Sequence, residues 1–297
     1  MSGDTLNATD ITEIILETAN SICSTMLKSI DDSIYPLLDK VIFVDKSILT
    51  DTYFEKIFGN SPTTGILMLS NCLLFAFILY YCIRLITTRF SGTEIEAPNQ
   101  FFLRTVLAVI IMNASFEICN LLIEGTDLIS TFFCDLGKNI FNTEVSFESM
   151  ISNLNSPYSN KFNIFSLDGI LTSTLSISSL GLLVTFAFRY IVIKLLVLAS
   201  PFAFLCISNK TTEGFTKSWY RALLSMLLIQ IVISVLLIIT YAILQDKSNP
   251  FLNKILLVGA VSALLKSSQL VKEFFGGIGI TTNFQSGISG IKSMFSR

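Results

Sequence analysis

Residues Ala222–Leu244 read ALLSMLLIQIVISVLLIITYAIL, and this run decides the fold. It carries no charge and is about as long as the roughly 20 residues that cross a hydrocarbon core as a helix. A second run, Gly65–Ile86 (GILMLSNCLLFAFILYYCIRLI), has the same character. Neither alternates polar with apolar residues, as the strands of a membrane barrel do. The whole chain is 52% hydrophobic and 14% charged, against about 25% charged in ordinary soluble domains. These features predict an all-α, polytopic helical membrane protein.

Charge sets the expected topology, because Lys and Arg next to spans stay on the cytoplasmic side. Residues 1–64 hold ten acidic and four basic side chains, a net of −6. Residues 189–221 hold Arg189, Lys194, Lys210, Lys217 and Arg221 against Glu213, a net of +4, and residues 266–297 carry +3. The pattern predicts about five transmembrane helices, with the N-terminus outside and the C-terminus cytoplasmic. The expected spans are 65–86, 104–124, 170–194, 222–244 and 252–271. Residues 1–64 are read as an acidic extracytoplasmic helical segment, a small cap packed on the bundle. Residues 125–168 form an outer loop, irregular around SNLNSPYSNKFN. Residues 195–221 are cytoplasmic and 272–297 form a Gly/Ser-rich cytoplasmic tail.

Two stretches stay open between readings. Arg189 and Lys194 are expected to snorkel at the end of the third span, leaving 195–208 as a kinked interfacial or re-entrant piece broken at Pro201. The fifth span is short for a crossing, so an interfacial helix is its alternative. The N-terminus lacks the basic n-region and apolar h-region of a signal peptide. Six cysteines show no CxxC pair, and Cys23 and Cys134, both placed outside, are candidates for a disulfide.

Catalytic chemistry finds little support. The chain has no histidine, which excludes HExxH, Ser-His-Asp and Cys-His arrangements, and no P-loop is present. No catalytic, cofactor-binding or metal-binding residue is assigned, no cofactor is expected, and the chain is read as a non-enzyme. The sharpest polar feature is Asn113, Glu117, Asn120 and Glu124, spaced at four, three and four residues on one face of the second span. A carboxylate in hydrocarbon turns toward a bundle interior, a partner or water. That face is either a pathway lining or a set of interhelical hydrogen bonds, with Glu117 directed at other helices. Thr172, Ser173, Thr174, Ser176, Ser178, Ser179 and Gly181 give the third span a small-residue packing surface.

The stretch KLLVLASPFAFLCISNKTTEGFTKSWYRALLSMLLIQIVISVLLII (Lys194–Ile239) resembles the core of the TrbL family, the polytopic inner-membrane subunit of conjugative type IV secretion systems. The matching elements are an apolar helix running into Ser200-Pro201, a polar turn at Lys210-Thr211-Thr212, then Phe215 and Trp219 in a basic segment before another span. The resemblance implies a scaffold and channel subunit of a DNA-transfer machine in the bacterial cytoplasmic membrane. It implies oligomerisation and partnership with other channel subunits, secretion ATPases and a DNA–protein substrate in transit. Arg189, Lys194, Pro201, Lys210, Lys217, Trp219 and Arg221 form the candidate cytoplasmic interface, with Trp219 read alternatively as an aromatic belt anchor. The composition fits an AT-rich bacterial gene on a mobile element. The alternative function is a secondary transporter or permease using the Glu117 face.

Overall fold

In the computed structural model the chain is described over residues 8–44, 46–59, 61–91, 97–152, 163, 165–209, 212–245 and 250–275. Among the described residues every α or 3-10 element is helical and no strand occurs. In order they are α1 (Ala8–Ile42), a 3-10 turn (Lys46–Ile48), α2 (Thr52–Phe58), α3 (Gly65–Ser91), α4 (Pro98–Asn113), α5 (Ser115–Phe141), α6 (Phe147–Ser152), α7 (Leu167–Leu198), α8 (Ser200–Leu205), a 3-10 turn (Cys206–Ser208), α9 (Glu213–Leu244) and α10 (Pro250–Phe275). Gly65–Thr88 of α3, all of α7 and all of α9 are long and apolar enough to cross a membrane. Helices α4 and α5 make a fourth crossing if that bent pair counts as one span. These helices are compatible with a multi-pass membrane protein. The expected fifth span lies within α10, which is not among them.

Two predicted elements differ from the expected spans. The expected 104–124 span is divided at Ala114, where the axis bends by 59°. Beside the bend, Asn113 Nδ2 donates to the Val109 carbonyl at 2.8 Å. The 170–194 span is longer than expected and ends at Ala199, two residues before Pro201. Pro201 has no N–H for the Val197 carbonyl, while the Ala199 N–H keeps its helical bond to Leu195 O and also points at the Val197 carbonyl.

Helices α5, α7, α9 and α10 form the body. Ion pairs and hydrogen bonds fix their relative heights. Lys254 pairs with Asp168 at the start of α10 and α7, and Thr143 meets the Tyr241 hydroxyl at 2.6 Å where α5 and α9 end. Helices α7 and α10 therefore run parallel, and α9 runs against both. Gly137 lets α5 approach α9: an added Cβ there would lie 2.8 Å from Val145 Cγ2 and 3.2 Å from Ile238 Cγ1. Gly137→Ala is expected to cost about 1–2 kcal/mol by overpacking, read as a lowered midpoint of thermal unfolding in detergent.

The N-terminal segment corrects the sequence reading most. It does not sit on the bundle as a cap. Ser176 Oγ donates to Asp31 at 2.9 Å, Arg189 donates to the Ile42 carbonyl, and Lys194 lies 3.6 Å from Asp51. Residues 31–44 and 46–51 thus run alongside α7 in the same direction, and α2 packs on α3. Leu38, Ile42, Ile48 and Leu49 are fully buried there. The segment lacks an apolar run of span length, so hydropathy assigns it to water. Its polar groups find partners inside the bundle instead.

The expected irregular outer loop is helical as far as Phe141, and most of SNLNSPYSNKFN lies outside the described residues, as does the tail from 276 onward. Cys23 and Cys134 are both free thiols and form no disulfide with each other.

Candidate functional site

The site is built from α5 upward. Asp127, Thr131, Cys134 and Lys138 recur at helical spacing and, with Asp135, face a cavity of about 730 Å³. Asp39, Lys40, Phe43 and Ser47 close it from the N-terminal segment, Tyr190 from α7, and Glu144, Val145 and Ser146 from the turn after α5. Four carboxylates and two ammonium groups therefore surround one space beside α7, a helix long and apolar enough to cross a membrane. Lys138 and Glu144 form an ion pair at 3.1 Å. Asp39 accepts from the Phe147 N–H at 2.9 Å and the Glu148 N–H at 3.4 Å. That bond ties the start of α6 to α1, because the first amides of a helix lack intrahelical acceptors.

Beneath the N-terminal segment the wall is polar. Arg189 is 4% exposed and its Cζ lies 5.5 Å over the Phe186 ring. One guanidinium nitrogen reaches the Ile42 carbonyl, while Nε and Nη1 have no hydrogen-bond partner among the described residues. Arg189 does not snorkel, because α1 and its following turn cover it. The fully buried Gln230 of α9 accepts from the Val44 N–H at 3.1 Å, and its Nε2 has no partner among the described residues.

The four-residue polar face does not survive the break at Ala114. Asn113 belongs to α4, while Glu117, Asn120 and Glu124 belong to α5. Asn113 and Glu117 are nevertheless brought together with Glu55 around a second cavity of about 360 Å³. Glu117 is exposed at this cavity and is not enclosed by other helices. Asn120 and Glu124 are half-buried further along α5.

The seven expected interface residues do not share one surface. Arg189, Pro201 and Trp219 are buried. Lys194 pairs with Asp51 and lies 5.6 Å over Phe54 and 5.3 Å over Tyr190. Lys217 pairs with Glu213 at 2.9 Å, Arg221 is exposed, and Lys210 lies outside the described residues. What the stretch does form is a corner in which α9 supplies donors to carbonyls freed by the break. Trp219 Nε1 donates to Leu196 O at 2.9 Å, Thr216 to Ala203 O at 2.6 Å, and Thr212 to Cys206 O at 2.9 Å. Carbonyls buried away from water require such internal partners. Thr216 and, on α5, Asp127 and Asp135 were missed in the sequence. The 127, 131, 134, 138 spacing was legible, but it lies in a stretch assigned to an outer loop.

Among the described residues no group of three or more His, Cys, Asp or Glu side chains is placed to hold a metal ion. The arrangement offers charged groups around a cavity beside α7. No family model, curated protein or solved structure matches the chain.

Proposed function

We propose that the chain is an integral scaffold and channel subunit of a conjugative type IV secretion machine. It sits as a multi-pass protein in the bacterial cytoplasmic membrane, with its N-terminus outside and its C-terminus cytoplasmic. One observation carries the channel reading: Asp39, Lys40, Asp127, Asp135 and Lys138 gather on one side of the bundle, level with the spanning helix α7. Charged groups at that depth face water or protein and not lipid, since exposure to hydrocarbon costs several kcal/mol each (~2.5–3.5 on insertion scales). Elsewhere the surface is apolar, with Ile177, Leu180, Val184, Ile191 and Leu195 of α7 exposed. The two surfaces support a subunit with lipid on one side and an aqueous lumen or a second copy on the other. The resemblance of Lys194–Ile239 supplies the kind of machine, and partner ATPases supply its energy.

In donor cells, deletion of the gene is expected to abolish DNA transfer, with restoration by the full chain in trans. The solubilised chain is expected to co-purify with secretion ATPases. Undiminished transfer from the deletion strain would end this reading.

A second reading is favoured by Glu55, Asn113 and Glu117 around the smaller cavity: a secondary transporter coupled to a cation. Proton- or sodium-driven solute uptake by the purified chain in liposomes would support it, and uptake unchanged by Glu117→Gln would argue against that site.

A further inference from the structure

A cation taken out of water needs a carboxylate or another anion beside it, because a lone charge loses its hydration and gains nothing in return. Lys254 pairs with Asp168, Lys194 with Asp51 and Arg104 with Glu213, and these three basic side chains are 16%, 25% and 32% exposed. Arg189 is buried, at 4% exposure, and no carboxylate pairs with it among the described residues. Its Nη2 donates to the Ile42 carbonyl, a neutral acceptor, and the Phe186 ring lies 5.5 Å from Cζ. Nε and Nη1 have no hydrogen-bond partner among the described residues.

More donors lie close by. Helices α7 and α9 pack on each other and grip the N-terminal segment on adjacent peptide groups. Arg189 of α7 holds the Ile42 carbonyl, and Gln230 of α9 holds the Val44 N–H. Gln230 is 0% exposed, its Oε1 is used on Val44, and its Nε2 has no hydrogen-bond partner among the described residues. The unused groups on these two side chains are therefore all N–H donors, and the one formal charge is positive. Around them Ile42, Val44, Phe186, Ile193 and Ile233 belong to the apolar core, a medium in which opposite charges attract strongly. A water molecule would accept from these donors, but it would bring two hydrogens needing acceptors of their own and leave the charge uncompensated. A monovalent anion meets both demands, and a divalent one would overbalance a single guanidinium.

We propose that Arg189 and Gln230 hold a chloride-sized monovalent anion between α7 and α9, beneath residues 42–44, as the counter-ion of the buried guanidinium. Thermal unfolding of the full chain tests this by circular dichroism in a non-ionic detergent, with sodium chloride exchanged for sodium gluconate at constant ionic strength. The wild-type midpoint is expected to rise saturably with chloride, by roughly 3–6 °C over the titration, and bromide is expected to substitute for chloride. Gln230→Glu keeps an oxygen for the Val44 N–H and adds a second one in place of the Nε2 donor. This variant is expected to unfold at or above the wild-type midpoint in gluconate and to show no dependence on chloride. A wild-type midpoint indifferent to chloride overturns the proposal and leaves water to meet these donors. A saturable response that Gln230→Glu retains puts the anion elsewhere and overturns it as well. A Gln230→Glu chain that does not fold does the same, because a carboxylate beside an uncompensated guanidinium stabilises the site. None of these results touches the secretion reading, which stands or falls on DNA transfer.

Discussion

Trp219→Ala is expected to lower the free energy of unfolding by about 3–5 kcal/mol, the range for truncating a buried large aromatic side chain. Trp219 is 4% exposed and meets Phe204 edge-on, with ring centroids 5.1 Å apart. Its indole N–H also satisfies the Leu196 carbonyl, one of the acceptors near the end of α7. Truncation therefore opens a cavity between α8 and α9 and leaves a buried carbonyl unpaired, two costs that add. Trp219→Phe separates them: it keeps most of the ring volume and loses the donor, for an expected cost of about 1–2 kcal/mol. Circular dichroism during thermal unfolding in detergent measures both. The fluorescence of this single tryptophan gives an independent check, with blue-shifted emission shielded from aqueous quenchers. A loss below about 1 kcal/mol on truncation, together with ready quenching, would place the indole at a membrane interface instead.

The difference between these two environments shows what was legible in the sequence. Hydropathy reports length and apolarity, so α3, α7 and α9 were found, although α9 begins at Glu213, nine residues before the expected start of its span. The Pro201 break was legible because proline lacks an amide proton. Trp219 was ambiguous: a tryptophan beside Lys217 and Arg221 reads as an interfacial anchor, and only tertiary contact turns it inward. The break at Ala114 contains neither Pro nor Gly. Nothing in the spacing marks it, and the four-residue polar face was drawn across it. Charge counting gave no sign that the N-terminal segment packs along α7, for a related reason. Asp31 and Asp51 look solvated in sequence because Ser176 and Lys194, their partners, lie more than a hundred residues away. The polar face of α5 suffered in the same way, since its acids balanced an outer loop as well as they line a cavity.

Arg189 gives the sharpest measure of how far the segment is embedded. Arg189→Glu is expected to cost about 4 kcal/mol or more, to the point where little folded protein is recovered. The substitution places a carboxylate against the Ile42 carbonyl, acceptor against acceptor, in a site with 4% exposure. Arg189→Met tests the opposite sign. It removes a buried charge whose Nε and Nη1 have no hydrogen-bond partner among the described residues, a relief that replacement by an apolar side chain of similar length often provides. Against this stands the Ile42 carbonyl left without its donor, at about 1–3 kcal/mol. The two contributions nearly cancel, so the methionine variant is expected to unfold within about 1–2 kcal/mol of wild type. The pair is read by thermal unfolding in the same detergent. A snorkelling arginine would give a different pattern: its charge would sit among headgroups, and both substitutions would fall within about 1 kcal/mol of wild type. A tolerated Arg189→Glu would therefore remove the N-terminal segment from its place over α7. A severe loss for glutamate beside a mild one for methionine requires a closed, protein-lined site, which only the segment covering Arg189 provides.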